Sequence, residues 1–195
     1  MIVLASASAV RAKMLREAGV AFAVVSSGLD EEPIKARMLA AGVGPREVAE
    51  RLAEAKALAA QATPDDLVIG ADQTLDLDGE LVDKATNLGE ARARLERLRG
   101  RCHTLHAAAA LARGGEIVWR GRASPVLAVR AFTDAFLDGY LSDCGEAVVD
   151  SVGCYHLEGR GAQLFEAVEG DYFAVLGLPL IELLSALRQA GALAS

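Results

Sequence analysis

Leu67-Val68-Ile69-Gly70-Ala71-Asp72-Gln73-Thr74 is an apolar run that ends in a carboxylate. A short run without polar alternation reads as a strand covered on both faces. A carboxylate directly after such a strand stands at the sheet edge, where α/β proteins place ligands. It can bind a cation or act as a general base. Working toward the N-terminus, Pro45 opens a helix with Val48, Leu52, Ala55, Leu58 and Ala59 on one face. Residues 21–25 read as a strand leading into a polar loop over 26–33, and residues 1–5 as another buried parallel strand. Ser6 or Ser8 caps the helix after residues 1–5, where Val10, Met14, Leu15 and Val20 keep helical spacing. Working toward the C-terminus, Asp78-Gly79 predicts a hairpin joining strands 74–77 and 80–82. A helix follows over 89–98, then strands 103–112 and 116–129 around Gly114-Gly115. A helix over 133–142, strands 152–158 and 162–168, and a helix over 179–190 complete the reading. Strands alternating with helices at both ends, and hairpins between, predict an α/β protein with a mixed twisted sheet and flanking helices. No linker interrupts residues 1–195, so a single domain is expected.

Composition narrows the function. The formal charge is −7, which argues against a protein that coats a nucleic-acid polymer, since neutralising phosphates needs a Lys/Arg surplus. A small anionic ligand needs only a local positive pocket. Apolar residues make up 52% and aromatics 5%, so the core rests on Ala, Leu and Val. Cys102, Cys144 and Cys154 form no C-x-x-C pair and read as buried thiols of a reducing compartment. No basic region precedes the first apolar run, and none of the apolar runs reaches the ~20 residues that span a membrane. A cytoplasmic protein with no membrane partner is expected. His103 and His106, three apart on a strand, point to opposite faces and are not expected to share a metal.

Ser6-Ala7-Ser8-Ala9-Val10-Arg11 lies where a strand turns into a helix. Serine hydroxyls, free backbone N–H groups and the helix dipole can converge there on a phosphate, and Arg11 adds a planar fork. Taken in order, Leu4-Ala5-Ser6-Ala7-Ser8-Ala9-Val10-Arg11, Asp30-Glu31, Leu52-Ala53-Glu54-Ala55-Lys56-Ala57, Gly70-Ala71-Asp72, Lys84 and Gly177-Leu178-Pro179-Leu180 form a pattern. It resembles the Maf family of nucleoside triphosphate pyrophosphatases along essentially the whole chain. The resemblance implies two lobes around a cleft, a fold related to the inosine triphosphate pyrophosphatases, and release of pyrophosphate from a nucleoside triphosphate. It implies a divalent cation (Mg²⁺, Mn²⁺ or Co²⁺) and a homodimer. It implies Asp72 as the base for the attacking water, and Glu31 with Asp72 at the metal. Ser6, Ser8 and Arg11 fall in the phosphate-binding segment. Lys56 and Lys84 match lysines that neutralise phosphate charge. Four positions depart from the common pattern: Asp83 and Ala85 replace the Gly and Pro of Gly-Lys-Pro, Ser151 stands where a lysine is frequent, and Ala174 where an Asn is frequent.

Gln73 after Asp72, Glu158 before Gly159, and Leu164-Phe165-Glu166 resemble the 7-methyl-GTP branch, and Gln73 and Glu158 are substrate-binding candidates. An ionised Glu only accepts hydrogen bonds and so suits the paired N–H donors of a guanine edge; a Gln suits uracil or thymine. The alternatives are a dTTP/UTP pyrophosphatase, or a nucleotide-binding regulator of septum formation with weak catalysis. Glu158→Gln is expected to shift the ratio of guanine- to pyrimidine-nucleotide turnover toward pyrimidines, measured as pyrophosphate release; an unchanged ratio removes Glu158 from base reading.

Overall fold

The computed structural model describes residues 1–194. Strand β1 (Ile2–Ala5) is buried along its length and runs into helix α1 (Ala9–Glu17), whose N-cap is Ser8. After the two-residue strand β2 (Ala23–Val24) come helices α2 (Glu31–Ala40) and α3 (Pro45–Ala59). Strand β3 (Leu67–Leu77) turns through Asp78-Gly79 into β4 (Glu80–Val82), followed by α4 (Leu88–Leu98). Strands β5 (Cys102–Arg113), β6 (Glu116–Ala123) and β7 (Val126–Val129) lead to α5 (Asp134–Cys144). Two 3₁₀ turns (Gly145–Asp150 and Arg160–Leu164) precede β8 (Phe165–Glu169), α6 (Tyr172–Val175) and α7 (Leu180–Gln189).

The eight strands form one mixed sheet in the order β2-β1-β3-β5-β7-β8, with β4 beside β3 and β6 beside β5. Parallel pairing joins β1 to β2 and β3, and every other ladder is antiparallel. The mixed α/β architecture read from the sequence is therefore the one observed. On one face of β3, Ile69 and Ala71 pack with α1 and α7, while Leu75 and Leu77 pack with α4 and α5. This gives two apolar cores side by side. Leu178 and Leu180 sit in the first of them, as expected.

On the other face, α3 lies almost on the sheet. Ala49 and Ala53 of α3 meet Ala108 of β5, and small side chains allow that approach. At Gly70 no side chain fits at all: a Cβ there would stand 2.1 Å from the Ala53 carbonyl oxygen and 2.5 Å from the Ala57 nitrogen.

Several elements differ from the sequence reading. β2 spans two residues rather than five. The loop expected over 26–33 ends at Glu31, where α2 begins with Pro33 in its first turn, a position that needs no N–H. Met38 is the one fully buried residue of α2, so no apolar stripe announces the helix. β3 is continuous where two strands were expected, because β5 pairs with it from Val68↔Ala112 to Asp76↔Thr104. The single strand expected over 116–129 breaks into β6 and β7 at Ser124-Pro125, since Pro has no N–H for a ladder. Residues 152–158 are not a strand. Ser151 Oγ accepts from Tyr155 N (2.9 Å) and donates to Tyr155 O (2.7 Å), and Cys154 has φ +59°, which closes a turn. The strand expected from residue 162 starts at Phe165, after the 3₁₀ turn. Of the three free thiols only Cys154 is buried; Cys102 is exposed and Cys144 half-buried.

Gly70→Ala is expected to destabilise the fold by about 3 kcal/mol or more, because backbone rather than a mobile side chain occupies the space. A denaturant melt checks this; wild-type stability would mean that α3 does not press on β3.

Candidate active site

β1 flanks β3 as far as Ala5↔Gly70, and β4 flanks the same edge from Leu75↔Val82 onward. Residues 71–74 face the gap between them, while β5 holds their other edge without interruption. Arg11 fills part of the gap. Its Nη1 donates to the Ala71 carbonyl (3.0 Å) and to Ser6 Oγ (3.2 Å), and its Nε donates to the Gly177 carbonyl (2.8 Å). One guanidinium thus joins the β1–α1 turn, β3 and the α6–α7 turn. Gly177 has φ +103°, a conformation that favours glycine. Ser6 Oγ also accepts from Ser8 N (3.3 Å), and Ser8 Oγ caps α1 by accepting from Arg11 N (3.3 Å). The two serines therefore order the turn, and α1 opens beside the gap.

Alternation along β3 sends Asp72 and Thr74 toward α3 and Gln73 toward α6. Thr74 Oγ1 donates to the Pro45 carbonyl (2.9 Å), tying the start of α3 to the strand. At the other end of α3, Lys56 Nζ donates to Asp72 Oδ1 (2.6 Å) and meets Glu31 Oε2 at 2.9 Å. Asp72 is 7% and Lys56 8% exposed, whereas the Glu31 side chain is 39% exposed. The ammonium sits in the last turn of its helix, where the dipole favours a cation. No hydrogen bond from the described residues reaches Asp72 Oδ2.

Burial pushes the Asp72 carboxyl above its ordinary range; Lys56 and Arg11 pull against the rise, and Glu31 adds to it. Burial likewise pulls the Arg11 guanidinium below its ordinary value, opposed by Asp72 and Glu31. The two cations and two carboxylates balance. A polyanionic ligand would bind here more favourably with further positive charge. Glu31 and Asp72 are hard oxygen donors and fit a Mg²⁺-like ion, which takes one or two carboxylates and completes its shell with water and phosphate oxygens. Among the described residues no group of three or more His, Cys, Asp or Glu stands ready to hold an ion alone.

The structure thus brings Ser6, Ser8, Arg11, Glu31, Lys56, Asp72 and Gln73 together around one gap. It does not tie Lys84 or Glu158 to them by any bond. Lys84 is exposed after β4, and Glu158 lies on an exposed turn. Gln73 has its amide donors committed: Nε2 donates to the carbonyls of Ala174 (2.8 Å) and Val175 (3.1 Å), leaving only Oε1 for a ligand. His103 and His106 are apart, as expected. His103 is buried with Nε2 2.6 Å from Tyr155 Oη, and burial lowers its pKa to about 4. His106 lies between Asp76 and Ser124. One charged residue near the site escaped the sequence reading. Lys35 on α2 bonds Glu32 (2.6 Å) and Asp83 (2.7 Å). The pair with Glu32 depends on α2, a helix the sequence does not announce, and the contact with Asp83 spans 48 residues.

A family model described as Maf-like protein matches residues 1–190. A relative from Caulobacter vibrioides, named nucleoside triphosphate pyrophosphatase, is 55% identical over 192 residues, covering 98% of this chain and 96% of its own. A relative from Rhizobium meliloti, named 7-methyl-GTP pyrophosphatase, is 44% identical over 194 residues, covering 99% and 98%. Another with that name, from Brucella abortus, is 40% identical over 189 residues, covering 96% and 95%. Since that match takes in β1, the Arg11 turn, Asp72 and the α6–α7 turn together, the chain belongs to the Maf family.

Proposed function

We propose that the chain is a nucleoside triphosphate pyrophosphatase whose substrate is a guanine-type nucleotide, 7-methyl-GTP, cleaved to the monophosphate and pyrophosphate. The activity is the one its relatives are named for. The nucleotide is the one named for relatives at 44% and 40% identity. The residue types Gln73 and Glu158, at their places in the sequence, resemble the same branch.

The observation that carries the mechanism is the buried Asp72, with Oδ1 on Lys56 and Oδ2 without a donor among the described residues. A water at Oδ2 gives its proton to the carboxylate and adds to phosphorus. The bond to the bridging oxygen breaks, and pyrophosphate leaves with the electron pair. Burial favours the neutral form of Asp72, and Lys56, with Arg11, opposes that rise and so favours the ionised base. Arg11 and the N–H groups at the start of α1 face anionic oxygens, and Lys84 supplies charge to the phosphates. Glu31 and Asp72 would hold a divalent cation, which when bound neutralises phosphate oxygens and acidifies water. A homodimeric assembly and a cytoplasmic location, both implied by the family resemblance, belong to the same proposal.

A panel of nucleotides incubated with Mg²⁺ or Mn²⁺ tests the substrate. The guanine-type triphosphate is expected to be turned over at least about tenfold more efficiently than dTTP or UTP. Turnover confined to pyrimidines would overturn the assignment. Asp72→Asn is expected to lower kcat by about 10²–10⁴. The rate is also expected to depend on pH. Asp72 acts as base only when ionised, so kcat/KM falls as pH drops through a pKa above the ordinary carboxylate value. Lys56→Met removes the largest influence lowering that pKa, so the acidic limb of the profile moves to higher pH while kcat falls. A limb that stays in place in this variant would assign the base to another group.

A further inference from the structure

Asp83 stands where the family pattern has glycine and puts a negative charge next to Lys84. Lys35 answers it. Its Nζ reaches Asp83 Oδ1 at 2.7 Å and Glu32 Oε1 at 2.6 Å, and its own side chain is only 14% exposed. Burial works against the ammonium, but the bonds to Asp83 and Glu32 outweigh it and hold Lys35 above the ordinary lysine value.

The contact links two segments that both bear candidate site residues. α2 begins with Glu31, which closes on Lys56. The segment after β4 carries Lys84. α2 also shares an apolar cluster with β4, in which Ile34 and Met38 of α2 gather with Leu81 of β4 and with Val48 and Leu52 of α3.

α2 has need of such a tie. It is ten residues long, a length at which an isolated helix is marginal. It buries one residue fully, and its N-cap Asp30 makes no side-chain capping bond. Its first turn, where Glu31 sits, is thus held by tertiary contacts rather than by its own cap.

We propose that the Lys35–Asp83 ion pair is a latch that joins α2 to the segment after β4 and so positions Glu31 and Lys84 together for the triphosphate. Lys35 and Asp83 are positioning residues: they act through Glu31 and Lys84 and touch no reacting atom. The latch rests on the assignment of Glu31 and Lys84 to the substrate site. It also accounts for an acidic residue beside a phosphate-binding lysine, since Asp83 is neutralised by Lys35 before substrate arrives.

The test compares steady-state kinetics and melting temperatures of Lys35→Met, Asp83→Asn, the double variant, Lys35→Arg, Glu31→Gln and Lys84→Met. A fraction of chains with α2 unlatched raises the apparent KM by the inverse of the competent fraction. Lys35→Met and Asp83→Asn are each expected to raise KM about three- to tenfold, with kcat within about twofold and melting temperature little changed. The double variant is expected to be no worse than the poorer single, because both changes break one contact. Lys35→Arg is expected to restore most of the loss. An Asp83→Asn enzyme with unchanged or lower KM, beside a Lys35→Met enzyme with raised KM, would overturn the latch: Lys35 would then grip phosphate itself. Additive losses in the double variant would overturn it as well. Wild-type kinetics in Glu31→Gln and Lys84→Met would overturn the site assignment beneath it, a result distinguishable from failure of the latch alone.

Discussion

The close approach of α3 to β3 at Gly70 governs the rest of the site. There is no room for a Cβ between that glycine and the backbone at Ala53 and Ala57. The helix therefore lies low over the sheet, helped by the alanine contacts at Ala49, Ala53 and Ala108. One turn later Lys56 has only a short distance to span, and its ammonium meets Asp72. A bulkier residue at 70 would lift the helix and leave a buried carboxylate without its counter-ion, the costly half of any buried pair. The alanine-rich, aromatic-poor composition thus has a structural consequence: it lets helix and sheet pack closely enough to bring opposite charges together.

The sheet supplies the opening in which those charges work. β1 and β4 share one edge of β3 and leave residues 71–74 between them. Backbone groups there would be costly if left unpaired. Arg11 satisfies the Ala71 carbonyl and, with the same group, the Gly177 carbonyl. An interruption in a ladder becomes a place where a guanidinium, a carboxylate and a helix N-terminus meet. The balance of charge is local. The chain is acidic overall, yet the two cations and two carboxylates gathered here balance.

Much of this was legible in the residues. The apolar run before Asp72, the serines before α1 and the amphipathic face of α3 identified the elements that carry Ser6, Ser8, Arg11, Lys56 and Asp72. α2 was not legible, because a helix with one buried residue and a proline in its first turn shows no stripe. Residues 152–158 looked like a strand because Val152, Cys154 and Tyr155 are apolar. In the fold their burial comes from a turn held by Ser151. Gln73 looked free to meet a ligand, but its amide anchors the backbone of α6, 101 and 102 residues away.

The sequence by itself determined the local pieces: strands from apolar runs, helix starts from serine and proline, and the chemical types that suit an anhydride hydrolase. Those follow from short-range periodicity and from side-chain chemistry, which need no partner. Only the tertiary structure decided which charges face each other. Lys56 between Asp72 and Glu31, Arg11 across three segments, and Lys35 on Asp83 all join residues far apart in the chain. A charge has no periodic signature of its own, and its partner is chosen by how closely the backbone elements pack.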